Sequence, residues 1–321
     1  MILITGINGF IGSRIALLLV ERGFKVRGTV RANSRLANLE AIRGKIELVE
    51  CDIRSLAALE RAFEGVDTCY HMAALVKTGR HSTEEYFSTN LHGTMNVCSV
   101  AMKAGVKKFV HISTMETLRP PSPLAGEGRG EGALIDESVR NSYADMIGDY
   151  GRSKFLAEEH VKACSAVGLE AVIVNPTAVI GPHDVNGTPP VTFIKAYARG
   201  RIPFYFETGF NMVDVRDVAR GALLAAEKGK IGERYILGND NIMLSKIFEL
   251  TKKLSGKRPF SVRLPYGLAS MVAKFFVRNK NFTERITASK RPFFVSCARA
   301  KKELHYKPVF DIKTAIEDTL W

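Results

Sequence analysis

No stretch of the 321 residues stays apolar for the roughly 20 positions that crossing a bilayer requires, so a membrane-spanning helix is not expected. Cysteine is scarce. Cys51, Cys69, Cys98, Cys164 and Cys297 are odd in number, widely spaced and form no C-x-x-C, which argues against a disulfide framework and predicts reduced core thiols and no metal site. Acidic residues are also in deficit, 33 against 46 Lys and Arg, for a formal net charge of +13. That excess is spread along the chain in runs of no more than two or three, so it reads as solvated surface and predicts no nucleic-acid partner. An apolar strand begins at the first methionine and leaves no room for a leader ahead of it, which predicts a cytoplasmic protein. No internal repeat is visible.

What the sequence does have is concentrated at its start. Ile2-Leu3-Ile4-Thr5 is an apolar strand that runs into Gly6-Ile7-Asn8-Gly9-Phe10-Ile11-Gly12 and then into a helix over Ser13 to Arg22 with Ile15, Leu18 and Leu19 on one face. A glycine turn that opens a helix after a strand is how a dinucleotide pyrophosphate is cradled. A second strand follows over Phe24 to Val30. In such a unit an acid near the end of the second strand binds the ribose 2′-hydroxyl and selects NAD, whereas an arginine there accommodates a 2′-phosphate. Here Val30 stands where the acid is expected and Arg31 follows it, with Arg35 nearby, so NADP is favoured over NAD.

The alternation continues. Ile46 to Val49 predicts a third strand ending at Asp52-Ile53, where the carboxylate either accepts from an adenine amino group or caps a helix over Leu56 to Phe63. Thr68 to Met72 predicts a fourth, ending in Ala73-Ala74, small residues that let backbone approach a ligand; His71 reads as a packed histidine. A helix is expected to begin near Asn90, then a fifth strand from Lys107 to Thr114, and a sixth from Leu169 to Val174 ending in Asn175-Pro176. The fold class is therefore α/β, a doubly wound parallel (Rossmann) sheet with a smaller C-terminal α+β substrate lobe, and its ligands belong at the carboxyl ends of the strands. The dinucleotide-binding domain is expected over 1–183 with segments about 211–238 returning to it, and the lobe over 184–210 and 239–321. The proline- and glycine-rich segment from Arg119 to Ala133 reads as a mobile surface loop, either a lid or a passive insert. The apolar run Tyr266 to Val277 reads as a core helix of the lobe, in preference to a peripheral membrane contact.

Tyr150-Gly151-Arg152-Ser153-Lys154 places a phenol and an ammonium one helical turn apart on a single face, where together they can move a proton. A free phenol is too weakly acidic to be deprotonated readily near neutral pH, so the lysine is expected to lower its pKa.

In order and spacing, Gly6-x-x-Gly9-Phe10-x-Gly12, Asp52-Ile53-Arg54, His71-x-Ala73-Ala74, Ser113-Thr114, Tyr150-x-x-x-Lys154, Asn175-Pro176 and Val215-Arg216-Asp217-Val218-Ala219 resemble the extended short-chain dehydrogenase/reductase superfamily over nearly the whole chain. Thr29-Val30-Arg31, Pro176 to Pro182 and Gly232 to Gly238 look like its dihydroflavonol-4-reductase-like branch, an NAD-dependent epimerase/dehydratase grouping whose bacterial members include proteins named hopanoid-associated sugar epimerases. The resemblance implies that Tyr150 is the general acid, that Lys154 also holds the nicotinamide ribose, and that Thr114 takes the position of the hydroxyl bonding the reacting oxygen. It implies a cofactor site formed by Gly6, Gly9, Phe10, Ile11, Gly12, Arg31, Asp52, Ile53, Ala73, Ala74, Asn90, Tyr150, Lys154, Asn175 and Pro176. The expected function is an NADP-dependent oxidoreductase acting on a ketone or secondary alcohol of a small molecule; the alternative is a nucleotide-sugar epimerase or dehydratase with tightly bound NAD(P). Sugar-nucleotide members commonly carry an asparagine where this chain has Ala178, and an arginine where it has His183. A homodimer is compatible with the chain.

Overall fold

Successive residues of the inner strands face opposite sides. Leu3, Cys69, Phe109 and Ile173 pack on one face of a sheet while their neighbours Ile4, Tyr70, Val110 and Val174 pack on the other, which is the period of a strand buried on both faces. The structure, a computed structural model, describes residues 1–77, 81–118, 134–268 and 292–321. The expectations for the 119–133 loop, and for the 266–277 run beyond Leu268, lie outside the described residues.

The strands are β1 (Ile2–Thr5), β2 (Val26–Val30), β3 (Ile46–Glu50), β4 (Thr68–His71), β5 (Lys108–Ile112) and β6 (Ala171–Pro176), then β7 (Ala178–Ile180), β8 (Phe204–Tyr205), β9 (Gly209–Asp214), β10 (Arg234–Leu237), β11 (Asp240–Met243) and β12 (Val262–Arg263). β1 to β6 and β10 make one seven-stranded parallel sheet ordered β10-β6-β5-β4-β1-β2-β3. The order reverses between β1 and β4, so the glycine turn after β1 opens beside the ends of β4 and β5, where a doubly wound sheet binds its ligand.

Helices cover both faces. α1 (Phe10–Glu21) and α7 (Val215–Lys228) lie on one side, over Ile4, Val110 and Val174. α2 (Leu56–Phe63), α4 (Gly93–Lys103) and α5 (Gly148–Ala166) lie on the other, over Leu3, Phe109 and Ile173. Full burial of one Val, Ile or Phe contributes about 1.5–3 kcal/mol, so a charge at Ile4 would disrupt the layer under α1 and α7, and one at Phe109 the layer on the other face. Between α2 and α4 stands the single turn α3 (Thr83–Tyr86), started by a capping box of Ser82 and Glu85, and it runs into a π turn over Phe87–His92. The helix thus begins seven residues before Asn90; Ser82-x-x-Glu85 is the signal that the expectation overlooked.

The second unit is built on a three-stranded sheet, β11-β9-β7, in which β9 pairs parallel with β7 and antiparallel with β11. β9 therefore belongs to this smaller sheet, whereas α7 and β10 return to the central one. α6 (Pro189–Ala198), α8 (Leu244–Ser255) and the C-terminal helix Ile312–Leu320 pack around Met212 and Ile242, with the Tyr197 and Phe248 rings stacked 3.7 Å apart. Phe10, the first residue of α1, is buried in the same cluster and ties the glycine turn to the lobe.

Candidate active site

The glycine turn is closed by Gly9 N–H donating to the Gly6 carbonyl at 3.0 Å, with Gly6 at φ +70°. A Cβ on Gly12 would sit 2.5 Å from that carbonyl oxygen, and one on Gly6 would sit 2.9 Å from Ala73 Cα. Only glycine lets α1 start this close to β1 and to the Ala73-Ala74 backbone. Gly9 is the N-cap of α1 and has no side chain to cap it, and no acid stands in the first turn. The N–H groups at the head of this helix are thus left for an anion, which is what a dinucleotide pyrophosphate requires.

Ala73 is held from below. The Thr5 hydroxyl oxygen accepts from Met72 N–H at 3.2 Å and Ala73 N–H at 3.3 Å, and it lies 2.8 Å from His71 Nδ1. His71 Nε2 is 2.9 Å from Thr94 Oγ1, whose hydroxyl donates to the Asn90 carbonyl. These bonds assign the ring one proton, on Nε2, with Nδ1 accepting from Thr5. Burial holds His71 neutral, its pKa pushed down to about 3. It is a packed, satisfied histidine, as expected.

Asn90 reaches Leu75, not open space. Its Oδ1 accepts from Leu75 N–H at 2.8 Å, and its Nδ2 donates to Leu75 O at 3.2 Å and to Ser153 Oγ at 3.1 Å. The π turn aims this amide inward, and so fastens the segment after β4 to α5 one residue before Lys154.

On α5 the Lys154 ammonium is 3 % exposed and donates to the Ile112 carbonyl at 2.9 Å. Burial draws its pKa down to about 8, against the pull of Glu158, so it is still mostly charged at neutral pH. Tyr150 stands half-buried one turn earlier, edge-on to Tyr86 with ring centres 6.1 Å apart. Burial pushes its phenol up to about 12; a hydrogen bond with Thr114 pulls it the other way, and Glu116 and Tyr86 push it up. The expected lowering by Lys154 is therefore corrected: the ammonium is turned toward Ile112, and desolvation decides the phenol. Thr114 sits just past β5, its Oγ1 accepting from Glu116 N–H at 3.3 Å. Glu116 is paired with Lys77 at 3.1 Å.

Beneath this lies a buried charge that the sequence reasoning missed. Glu158, one turn after Lys154 and 1 % exposed, accepts from Ser113 Oγ at 2.6 Å, Thr117 Oγ1 at 2.9 Å and Asn175 Nδ2 at 2.9 Å. Its other oxygen meets Arg234 and Lys162, each at 3.2 Å. Arg234 also donates to the carbonyls of Glu137 and Val139. Lys162, Arg234 and the two donors Ser113 and Asn175 outweigh desolvation and bring the carboxyl down to about 2. Asn175 Nδ2 also donates to the Thr114 carbonyl at 3.0 Å, so the network fixes the backbone that carries the Thr114 hydroxyl. Four-residue spacing from Lys154 was the available signal.

Asp52 does not cap the next helix, because Ser55 does so through Ala58 N–H. Its carboxylate is gripped by Arg54, with Nη2 at 2.6 Å, and held below the usual range chiefly by that bond, with Arg31 contributing. Arg31 is exposed at the end of β2. The turn that follows it is tied to the glycine loop by Asn8 Nδ2 donating to Arg35 O at 3.2 Å and Asn38 Nδ2 donating to Asn8 O at 3.1 Å.

Residues 2–238 match the model of the NAD-dependent epimerase/dehydratase family. The chain belongs to that family. It is an enzyme of the extended short-chain dehydrogenase/reductase type. Among relatives of this family member, a Synechocystis sp. protein named for dihydroflavonol 4-reductase is 32% identical over 99% of this chain and 92% of its own length. Sterol demethylase protein B of Methylococcus capsulatus is 30% identical over 84% of this chain and 79% of its own. The crystal structure of gox2253 superimposes with a TM-score of 0.88 at 36% identity, covering 100% of this chain and 96% of that one. Among the described residues no helix is long and apolar enough to cross a membrane.

Proposed function

We propose that this family member is an NADP-dependent reductase of the dihydroflavonol-4-reductase type, acting on the ketone of an apolar small molecule with Tyr150 as proton donor. The observation that carries the proposal is the hydrogen bond between Tyr150 and Thr114, with a buried Lys154 one turn along α5, at the same edge of the parallel sheet as the uncapped glycine turn. A nicotinamide dinucleotide, when bound, supplies or accepts the hydride. Gly6, Gly9, Phe10, Ile11 and Gly12 would hold its pyrophosphate, Asp52 and Ile53 its adenine end, Ala73, Ala74 and Lys154 its ribose, with Asn90, Asn175 and Pro176 supporting the wall. Arg31, at a strand end that lacks the acid selecting NAD, would receive a 2′-phosphate.

The chain's own residues do the rest. The Thr114 hydroxyl orients the substrate oxygen, and Tyr150 O–H donates to it as carbon is reduced. A phenol at about 12 is protonated at neutral pH and ready to give its proton. To act as a base in the reverse direction the phenol must first give up its own proton, which costs about 1.4 kcal/mol for each unit between the pH and that value.

The alternative, a nucleotide-sugar epimerase, needs cations for a diphosphate. Arg216 is engaged by Asp214 at 2.7 Å and Asp318 at 2.6 Å and lies 3.6 Å over the Phe310 ring, and Arg263 meets Glu207 at 3.5 Å. A diphosphate would therefore compete with these carboxylates for both guanidinium groups. The test follows NADPH oxidation against a panel of apolar ketones, with nucleotide sugars assayed in parallel for epimerisation. Ketone-dependent oxidation is expected. Turnover of nucleotide sugars alone, without net oxidation, would refute the reductase assignment.

A further inference from the structure

On the far half of α5 a cluster forms that spacing along the chain conceals. His160 and Cys164 are four residues apart and so leave one helix face a turn apart, toward Cys98 of α4. The two sulfurs and a ring nitrogen of His160 all lie within 4.8 Å of one another, and Cys164 Sγ is 3.4 Å from His160 Nε2. A tetrahedral ion with bonds of about 2.3 Å to sulfur and about 2.0 Å to nitrogen holds its ligand atoms roughly 3.5–3.8 Å apart. The α5 pair is already at that spacing, and Cys98 needs an adjustment of at most about 1 Å. Both thiols are buried, while His160 and Cys164 form part of the wall of an open cavity of about 350 Å³ lined also by Met95, Asn96, Ser99 and Met102. Two thiolates and an imidazole make a soft donor set, and the cavity leaves the fourth position to water. Among the described residues no other group of three His, Cys, Asp or Glu comes this close.

We propose that Cys98, His160 and Cys164 bind one Zn²⁺ ion, with three protein ligands and a fourth position open to the cavity. Each thiol releases its proton to solvent on binding and no electron is transferred. The ion ties α4 to α5. Cys164 is ten positions beyond Lys154, about 15 Å along the helix, so the site is separate from the catalytic cleft.

The test uses the full-length, reduced, metal-stripped protein, titrated with Zn²⁺ against a chromophoric chelator and with Co²⁺ as an optical probe. One equivalent of Zn²⁺ at submicromolar affinity is expected, with sulfur-to-cobalt charge-transfer absorption. Cys164→Ser and His160→Gln should each weaken binding by about a hundredfold or more, since even partners that only orient a ligand cost 10–100-fold. His160 is half-exposed, so His160→Gln keeps the fold, checked by near-ultraviolet circular dichroism. Binding weaker than micromolar, or stoichiometric Zn²⁺ that persists in both variants, would overturn the proposal. So would a Cys98 to Cys164 disulfide that forms despite reductant and blocks the ion.

Discussion

Glu158→Gln removes one charge from the floor of the active site, and its consequences can be worked through. In the folded protein the carboxyl is held at about 2 against an ordinary value of 4.5, by Lys162, Arg234, Ser113 and Asn175 acting against burial. A depression of about 2.5 units corresponds to about 3 kcal/mol of stability at neutral pH. Taking one partner from a buried ion pair likewise costs about 3–5 kcal/mol, because Arg234 is left as an uncompensated buried charge. The sign is that of a depressed acid. The contribution is complete above about pH 4.5 and is lost as pH falls toward 2. Urea unfolding of both proteins should therefore give a gap of about 3 kcal/mol that is flat from pH 7 to 5.5 and shrinks to about 2 kcal/mol near pH 3.5. A functional effect accompanies it. Glu158 raises the pKa of Lys154, drawn down by burial to about 8, so its loss should move an alkaline fall of kcat/KM that follows Lys154 to lower pH than in the wild type. Equal stability within about 0.5 kcal/mol, the scatter of ordinary surface changes, or an unmoved alkaline limb, would refute the reasoning.

Tyr150→Phe should fold and bind cofactor as wild type while ketone reduction falls by about two to four decades, the usual worth of a positioned proton donor; stopped-flow hydride transfer checks it. Thr114→Val should lower kcat with cofactor affinity preserved, whereas Lys154→Ala should lower both, as titration with NADPH and steady-state rates would report. NADPH should bind about one to two decades more tightly than NADH, a difference of roughly 1.5–3 kcal/mol that Arg31→Ala erases; fluorescence titration with both cofactors decides it, and equal affinity in the wild type would sink the assignment.

The parallel sheet was legible along the chain because its signals are local: apolar strands of alternating face, glycines where backbone must approach backbone, and caps between them. The glycine turn, Ala73, Thr114, Tyr150 and Lys154 could be placed for the same reason, since each stands at a strand end or one turn along a helix, while the roles given to them rest on the family resemblance. Tertiary structure decided what those residues feel. Nothing in Tyr150-x-x-x-Lys154 says that the ammonium turns to the Ile112 carbonyl or that burial, not the lysine, sets the phenol. Asn90 looked like the start of a helix and proved to be a clasp on Leu75 within a π turn. Glu158 and Arg234 are 76 residues apart and pair only because β10 returns beside β6, and Cys98 meets Cys164 only where α4 packs on α5. Desolvation and long-range pairing depend on what the folded chain places around a side chain, and local sequence carries no record of those neighbours.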